Sequence, residues 1–291
     1  MIARRLVLLA ALWTLGCQAP ASPPPPSDQV NVAGSTALLP LVTAVANSFM
    51  RQHPEHVVEV SPGGSSAGIE AVATGMVTIG MSDVPARSEV AAELVDHPVA
   101  LVGLAAMAHR GDYNANVDSV TRGQLAAVFR GETTDWSELG GDPFPIVVVH
   151  RRRGSGTRKA FRRLLLGDED FAGGGLELES SGQVQTTLLS TPGAISYLAF
   201  SYAHPKLKLL SVDGAAPVNA EIAAGRYPLW AREHLYTKGP ADGSAREFLD
   251  YVQSPHVQDE IVPRYGFLSS SLAPPEGRGA AATRHGGLER P

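Results

Sequence analysis

The chain has one cysteine in 291 residues, Cys17, so no disulfide can form within it. It has no HExxH, no CxxC and no His/Asp set at ligand spacing, so no metal site is expected, and no cofactor either. It has no GxxxxGK[ST], which removes the phosphate-cradling loop of nucleotide hydrolases. The formal net charge is −5, with neither a basic face nor a patch in which basic and aromatic residues interleave, and this argues against a nucleic-acid partner. The apolar run Leu6–Leu15 is too short to span a bilayer as a mature helix.

That run follows Arg4 and Arg5 and ends at Gly16-Cys17, so residues 1–16 read as an export signal. A cysteine directly after the apolar run resembles a lipoprotein processing site. Cys17 would then carry lipid and hold the chain on a membrane surface, giving a periplasmic or cell-surface location. Residues 17–28, rich in proline, read as a semi-stiff tether. Residues 273–291 combine Pro, Gly, Ala and Arg without apolar periodicity and are expected to be disordered. The expected folded body is 29–272. With 44% apolar residues the chain can bury two cores.

Within the body, one arrangement recurs: an apolar strand, a small polar turn, then a helix. In PFPIVVVHRRRGSGTRKAFRR the turn is Gly154-Ser155-Gly156-Thr157. In VNVAGSTALLPLV it is Gly34-Ser35-Thr36, followed by Leu38, Leu41, Val42, Val45 and Phe49 on one helical face, with Pro40 in the first turn. In HVVEVSPGGSSAGIEAV it is Gly63-Gly64-Ser65-Ser66. Each such turn aims backbone N–H groups and the positive end of a helix dipole at one spot, which favours an anion. Arg151 adds a planar fork suited to a tetrahedral oxyanion. A related turn, IGMSDVP, places Asp83 after a short apolar run.

Strand and helix patterns alternate throughout, so the fold class is α/β with mainly parallel sheet. Val99–Ala108 reads as a central strand, Thr121–Phe129 as a helix, and Trp136 as a packing anchor. The turns divide into an N-terminal group and a distant one, and a ligand bridging them would lie in a cleft between lobes. The expected lobes are 29–105 with 231–272, and 106–230. Arg162 and Arg163 read as a solvated helix face. His53 and His56 read as surface residues, His204 and His256 as loop residues, and His234 as lying at a strand edge.

AGSTALLPLV, PGGSSAGIEAV, IGMSDVP and RRRGSGTRKAF, in this order, resemble the phosphate-binding protein of bacterial high-affinity phosphate ABC importers. GQLAAVFRGETTDWSELGG, TPGAISYLAF, YPLWAREHLYTKG and VPRYGF extend the resemblance over most of 30–268. It implies a two-lobed, type II periplasmic-binding-protein fold that closes over dehydrated phosphate, acts as a monomer and delivers its cargo to permease and ATPase subunits. It implies phosphate contacts from Thr36, Ala37, Ser65, Asp83, Arg151, Ser155, Gly156 and Thr157. The family arginine stands three residues before the first glycine of GSGT, which selects Arg151. The chain departs from the family pattern at Ala37, Ser66 and Ser196.

Asp83 is the residue that would choose the anion. A carboxylate facing an oxyanion repels it unless the ligand donates a proton, as phosphate does near neutral pH and sulfate does not. Two other readings compete. Gly64-Ser65-Ser66-Ala67-Gly68 matches G-x-S-x-G, with Ser66 as a hydrolase nucleophile, but no histidine stands in a recognisable triad context. A lipid-anchored sensor or binder of phosphate or another oxyanion, without a dedicated transporter, would use the same pocket.

Overall fold

In the computed structural model, residues 29–272 are described; the export signal, Cys17, the tether and the C-terminal tail lie outside them. Among the described residues there are twelve strands: β1 (Gln29–Gly34), β2 (Val57–Pro62), β3 (Ile79–Ser82), β4 (Leu94–His109), β5 (Ser119–Val120), β6 (Val147–Arg151), β7 (Leu176–Leu178), β8 (Ala194–Ala199), β9 (Leu207–Leu209), β10 (Ser211–Val212), β11 (Trp230–Lys238) and β12 (Phe267–Ser269). Six helices exceed two turns: α1 (Leu39–Gln52), α2 (Ser65–Ala73), α3 (Arg122–Phe129), α4 (Gly156–Leu166), α5 (Ser181–Ser190) and α6 (Gly243–Val252).

The central sheet runs β2-β1-β3-β11-β4-β8-β6-β7, with β9 and β12 also pairing β4. The 16-residue β4 is its spine. Its first part, Leu94–Gly103, lies antiparallel to β11, and Ala100–Val102 also take β12. From Leu104 onward it pairs β8 and then β9, again antiparallel, so the sheet is mixed and not mainly parallel as expected, because β4 and β11 run against their neighbours. Residues 99–108 are all buried, as the unbroken apolar run of a strand covered on both faces requires. The parallel pairs β1–β2, β1–β3, β6–β7 and β6–β8 put the C-terminal ends of β1, β3 and β6, and the turns that follow them, where a ligand can be held.

Local chemistry explains the helix ends. Leu38, Leu41, Val42, Val45 and Phe49 are all buried, the face expected for α1. The helix stops at His53 (φ −130°, ψ 72°) because Pro54 disfavours helical geometry in the residue before it. Thr121 caps α3 in a reciprocal box with Gln124, and Ser180 caps α5 with Gln183. Gly34 has φ +142°, and a Cβ there would lie 2.2 Å from Met81 O, so β1 and β3 can approach only through glycine. Trp136 is fully buried and donates from Nε1 to Gly193 O at 3.2 Å, an anchor as expected.

Three histidine expectations are corrected. His256 opens the helical segment His256–Ile261 and does not lie in a loop. His56 is buried at 8% exposure: its ring stacks on Phe49 at 5.4 Å between centroids and its Nε2 meets Glu247 Oε2 at 3.0 Å. The HPEH tetrapeptide looked exposed because the element that covers it lies nearly two hundred residues later. His234 is on an interior strand, because β11 runs between β3 and β4, and it is buried beside Asp96 at 2.8 Å.

Candidate functional site

The N-termini of four helices converge. Thr36 and Ala37 lie in the turn before α1; Ser65 is the first residue of α2; Gly156 and Thr157 open α4; Ser181 opens α5. Each end leaves N–H groups without an intrahelical partner and carries about half a positive charge. Two interlocked groups of side chains join them.

The first group centres on Arg151, at the end of β6 and 1% exposed. Its Nη1 donates to Ser181 Oγ at 2.7 Å, and its Nη2 donates to Thr36 Oγ1 and Glu179 O, each at 3.0 Å. Thr36 Oγ1 also accepts from Ser181 N at 3.2 Å. The arginine backbone is held too: Arg151 N donates to Tyr197 Oη at 3.3 Å, and Arg158 Nη1 donates to Arg151 O at 2.8 Å. Arg158, one turn along α4, lies over the Phe171 ring at 5.1 Å. Burial draws the Arg151 guanidinium downward and Asp83 opposes this; arginine stays a cation through such shifts.

The second group centres on Asp83, at the end of β3 and 2% exposed. Thr157 Oγ1 donates to Asp83 Oδ2 at 2.6 Å, and Asp83 N donates to Ser65 Oγ at 3.1 Å. Gly156 is pressed against the same corner: a Cβ there would lie 2.1 Å from Ser65 Oγ. Further contacts tie the loop opening α2 to the loop opening α4. Ser66 N donates to Gly154 O at 3.2 Å, Arg152 Nη2 to Gly63 O at 2.6 Å, and Lys159 Nζ to Ser66 Oγ at 2.6 Å. Ser66 therefore has a lysine where the hydrolase reading required histidine.

All eight residues implied by the resemblance are thus brought to one place, although the hydroxyls of Thr36, Ser65, Ser155 and Thr157 and the amide of Ala37 all have partners within the protein. Ser155 Oγ accepts from Arg158 N at 3.2 Å as the cap of α4, and Ser65 Oγ accepts from Asp83 N. Ala37 N donates to Ser35 Oγ at 3.0 Å. The contribution of Ser155 is hence the conformation of its turn more than its hydroxyl.

Three participants were not foreseen. Ser181 is buried between Thr36 and Arg151, and the Ser180-x-x-Gln183 box before it was the signal that could have found it. Tyr202 Oη donates to Thr36 O at 2.6 Å; burial pushes its phenol up to about 12, so it remains a donor. Glu233 is fully buried, next to a register shift in β11 between Glu233 and His234, the kind of irregularity that re-aims a side chain. As a carboxylate, neither of its oxygens has a donor, nor does Asp83 Oδ1. Burial first, then the charge of Asp83 and hydrogen bonding to it, hold Glu233 well above the usual carboxylate range. A proton on Glu233 supplies the donor that both groups lack. No motif in WAREHLY announces this.

Residues 19–256 match a family model described as a PBP superfamily domain. The phosphate-binding protein PstS of Bacillus subtilis (strain 168) is 42% identical over 246 residues, covering 83% of this chain and 81% of that protein. Among solved structures, a putative phosphate ABC transporter substrate-binding protein with bound phosphate from Clostridium perfringens has a TM-score of 0.79 at 30% identity, covering 83% of this chain and 99% of that one. An ABC-type phosphate transport receptor from Vibrio cholerae has a TM-score of 0.67 at 26% identity, covering 82% and 99%. The α/β fold is accordingly the two-lobed, type II architecture expected from sequence. The chain belongs to the PBP superfamily and, within it, to the family of the phosphate-binding protein PstS.

Proposed function

We propose that this chain is an extracytoplasmic solute-binding protein that captures inorganic phosphate and delivers it to an ABC importer. The observation that carries the reading is the convergence of four helix N-termini on one buried arginine and one buried carboxylate. With Glu233 neutral, the charges of Arg151 and Asp83 offset each other, and the four helix ends leave about +2 facing the site. A phosphate dianion matches that charge, and its proton gives Asp83 a donor.

Thr36, Ala37, Ser65, Asp83, Arg151, Ser155, Gly156 and Thr157 are the proposed contacts, with Ser181 added on the grounds of its position between Thr36 and Arg151. The lobes are proposed as 29–105 with 231–272, and 106–230; the change of partners along β4 between Gly103 and Leu104 supports the first boundary. Capture is closure of the lobes as ligand bridges donors on both sides, and release follows when the transporter favours the open form. No covalent step is involved. Lipid on Cys17, beyond the described residues, would keep the chain beside its permease as a tethered monomer.

Calorimetric titration of the full chain, stripped of anion by partial unfolding and dialysis, tests the reading. One phosphate should bind per chain with no response to sulfate. Asp83→Asn should weaken phosphate binding and admit sulfate, because the variant side chain can donate to the unprotonated anion. An unchanged preference for phosphate in that variant would remove Asp83 from its role; sulfate binding by the unaltered chain would overturn the phosphate assignment.

A further inference from the structure

We infer that His53, Glu55, His56 and Glu247 form a site for one divalent transition-metal ion of the zinc class. It lies at the far end of α1 from the anion-facing turn, about 21 Å away for fourteen residues of helix. The histidine-bearing turn itself carries no motif at zinc-finger spacing; the chain fold supplies the missing carboxylate from α6.

The geometry begins with Pro54. It ends α1, and His56 N then donates to His53 O at 3.1 Å, closing a turn that leaves the two imidazoles 6.0 Å apart with Glu55 beside both. One ligand atom from each of His53, Glu55 and His56 lies within 4.8 Å of the others. Glu55 Oε1 is 3.7 Å from His53 Nδ1 and 3.7 Å from His56 Nε2, while Glu247 Oε2 is 3.0 Å from His56 Nε2. Around a tetrahedral ion with bonds near 2.0–2.1 Å, neighbouring ligand atoms are about 3.3–3.4 Å apart. The three observed separations straddle that value; Glu247 lies outside the group of atoms within 4.8 Å of one another and must swing toward His53 and Glu55 to complete the set, which its 55% side-chain exposure allows.

The groups are also held in place. Phe49 stacks on His53 at 4.7 Å and on His56 at 5.4 Å, and meets Phe248 edge-on at 5.5 Å, which fixes α6 against α1. One turn beyond Glu247, Tyr251 Oη bonds Ser48 Oγ at 2.8 Å and accepts from Gln52 Nε2 at 2.7 Å. The buried imidazole of His56 is thus rigid. The side chains of His53, Glu55 and Glu247 are 38%, 63% and 55% exposed, so an ion can reach them and they can adjust. Two imidazoles suit zinc, copper or nickel, and two carboxylates balance the ion's charge. Four protein ligands leave no open position, so the site is structural: the ion would clamp the turn after α1 to α6 without touching the anion.

The test uses the full chain with Cys17 alkylated, dialysed against a chelator into phosphate-free buffer. Cobalt(II) alone is titrated first, followed by its visible absorption, and is then displaced by zinc; melting is recorded with and without metal. The expected result is one ion per chain, intense bands of tetrahedral cobalt, and a saturable rise in melting temperature. Loss of an outer-shell partner typically weakens a metal site 10–100-fold, so His53→Ala and Glu247→Gln should each weaken cobalt binding by more than about tenfold. Both side chains are partly exposed, and the metal-free melting temperature and phosphate affinity of these variants should stay near those of the parent. Absence of saturable cobalt binding, a weak octahedral spectrum, or binding that survives both substitutions would overturn the site and leave His56 and Glu247 as an ordinary contact between helices.

Discussion

Replacing Gly156 by alanine would separate closure of the site from stability of the fold. The added methyl would lie 2.1 Å from Ser65 Oγ and 2.7 Å from Ser65 Cβ. Ser65 is fully buried, opens α2 and accepts from Asp83 N, so it cannot swing aside alone. Restoring ordinary contact requires the α2 and α4 loops to part by about 1.3 Å. At that gap the 2.6 Å bond from Thr157 to Asp83 is broken, as is the 3.2 Å bond from Ser66 N to Gly154 O. A charge-assisted hydrogen bond contributes about 1.5–3 kcal/mol and a neutral one about 0.5–1.5, so the closed form loses about 2–4.5 kcal/mol. Phosphate affinity should fall between about thirtyfold and about two-thousandfold. Alanine is a better helix former than glycine by up to about 1 kcal/mol, so ligand-free stability should hold or rise. Calorimetry with phosphate and melting without ligand read the two effects. Affinity within about threefold of the parent would refute the reasoning, and so would a collapse of ligand-free melting, since the contact would then serve the fold.

Two further predictions concern pH. The unfolded chain begins to ionise Glu233 near its ordinary value of 4.5, while the folded chain keeps it protonated to well above that. The stability contribution is therefore complete below about pH 4.5 and is lost as pH rises toward the folded value. Glu233→Gln should gain melting temperature relative to the parent as pH is raised from about 5 to 8; a constant difference would show that the carboxyl ionises normally. His150 has the opposite sign. Burial, then the charge of Arg158, lowers it from 6.5 to about 4, and its Nδ1 has no partner among the rings of Phe129, Phe171 and Tyr197. Its contribution is present above 6.5 and is lost as pH falls through about 4. His150→Phe should flatten the acid arm of the stability curve, and an acid arm like the parent's would contradict that.

What was legible in the sequence was legible for local reasons. The three donor turns declare themselves because glycine, serine and threonine between a strand pattern and a helical face have few other uses, and β4 declares itself because ten apolar residues in a row need cover on both sides. Asp83 could be singled out because its related turn also follows a short apolar run. Ser181, Glu233 and Glu247 were not, since each acts through a neighbour distant in sequence: Ser181 through Thr36, Glu233 through Asp83, Glu247 through His56. A single strand pattern does not reveal which side of it faces another strand's loop, and for the same reason His234 seemed to lie at an edge when β11 is interior. The register shift at Glu233 is a further property of pairing, with no signature in the strand that carries it.

The position of β11 sets an order of assembly. Strands β1, β2 and β3 pair among themselves, and β4 pairs with β8, β9 and β12, but among the described residues the two sets are joined in the sheet through β11, which touches β3 on one side and β4 on the other. A chain made only as far as residue 229 would hold two unspliced fragments, one carrying Asp83 and the other Arg151. Asp83 and Arg151 are therefore carried on one continuous sheet only once the strand beginning at Trp230 is in place, and a chain truncated before it lacks that junction.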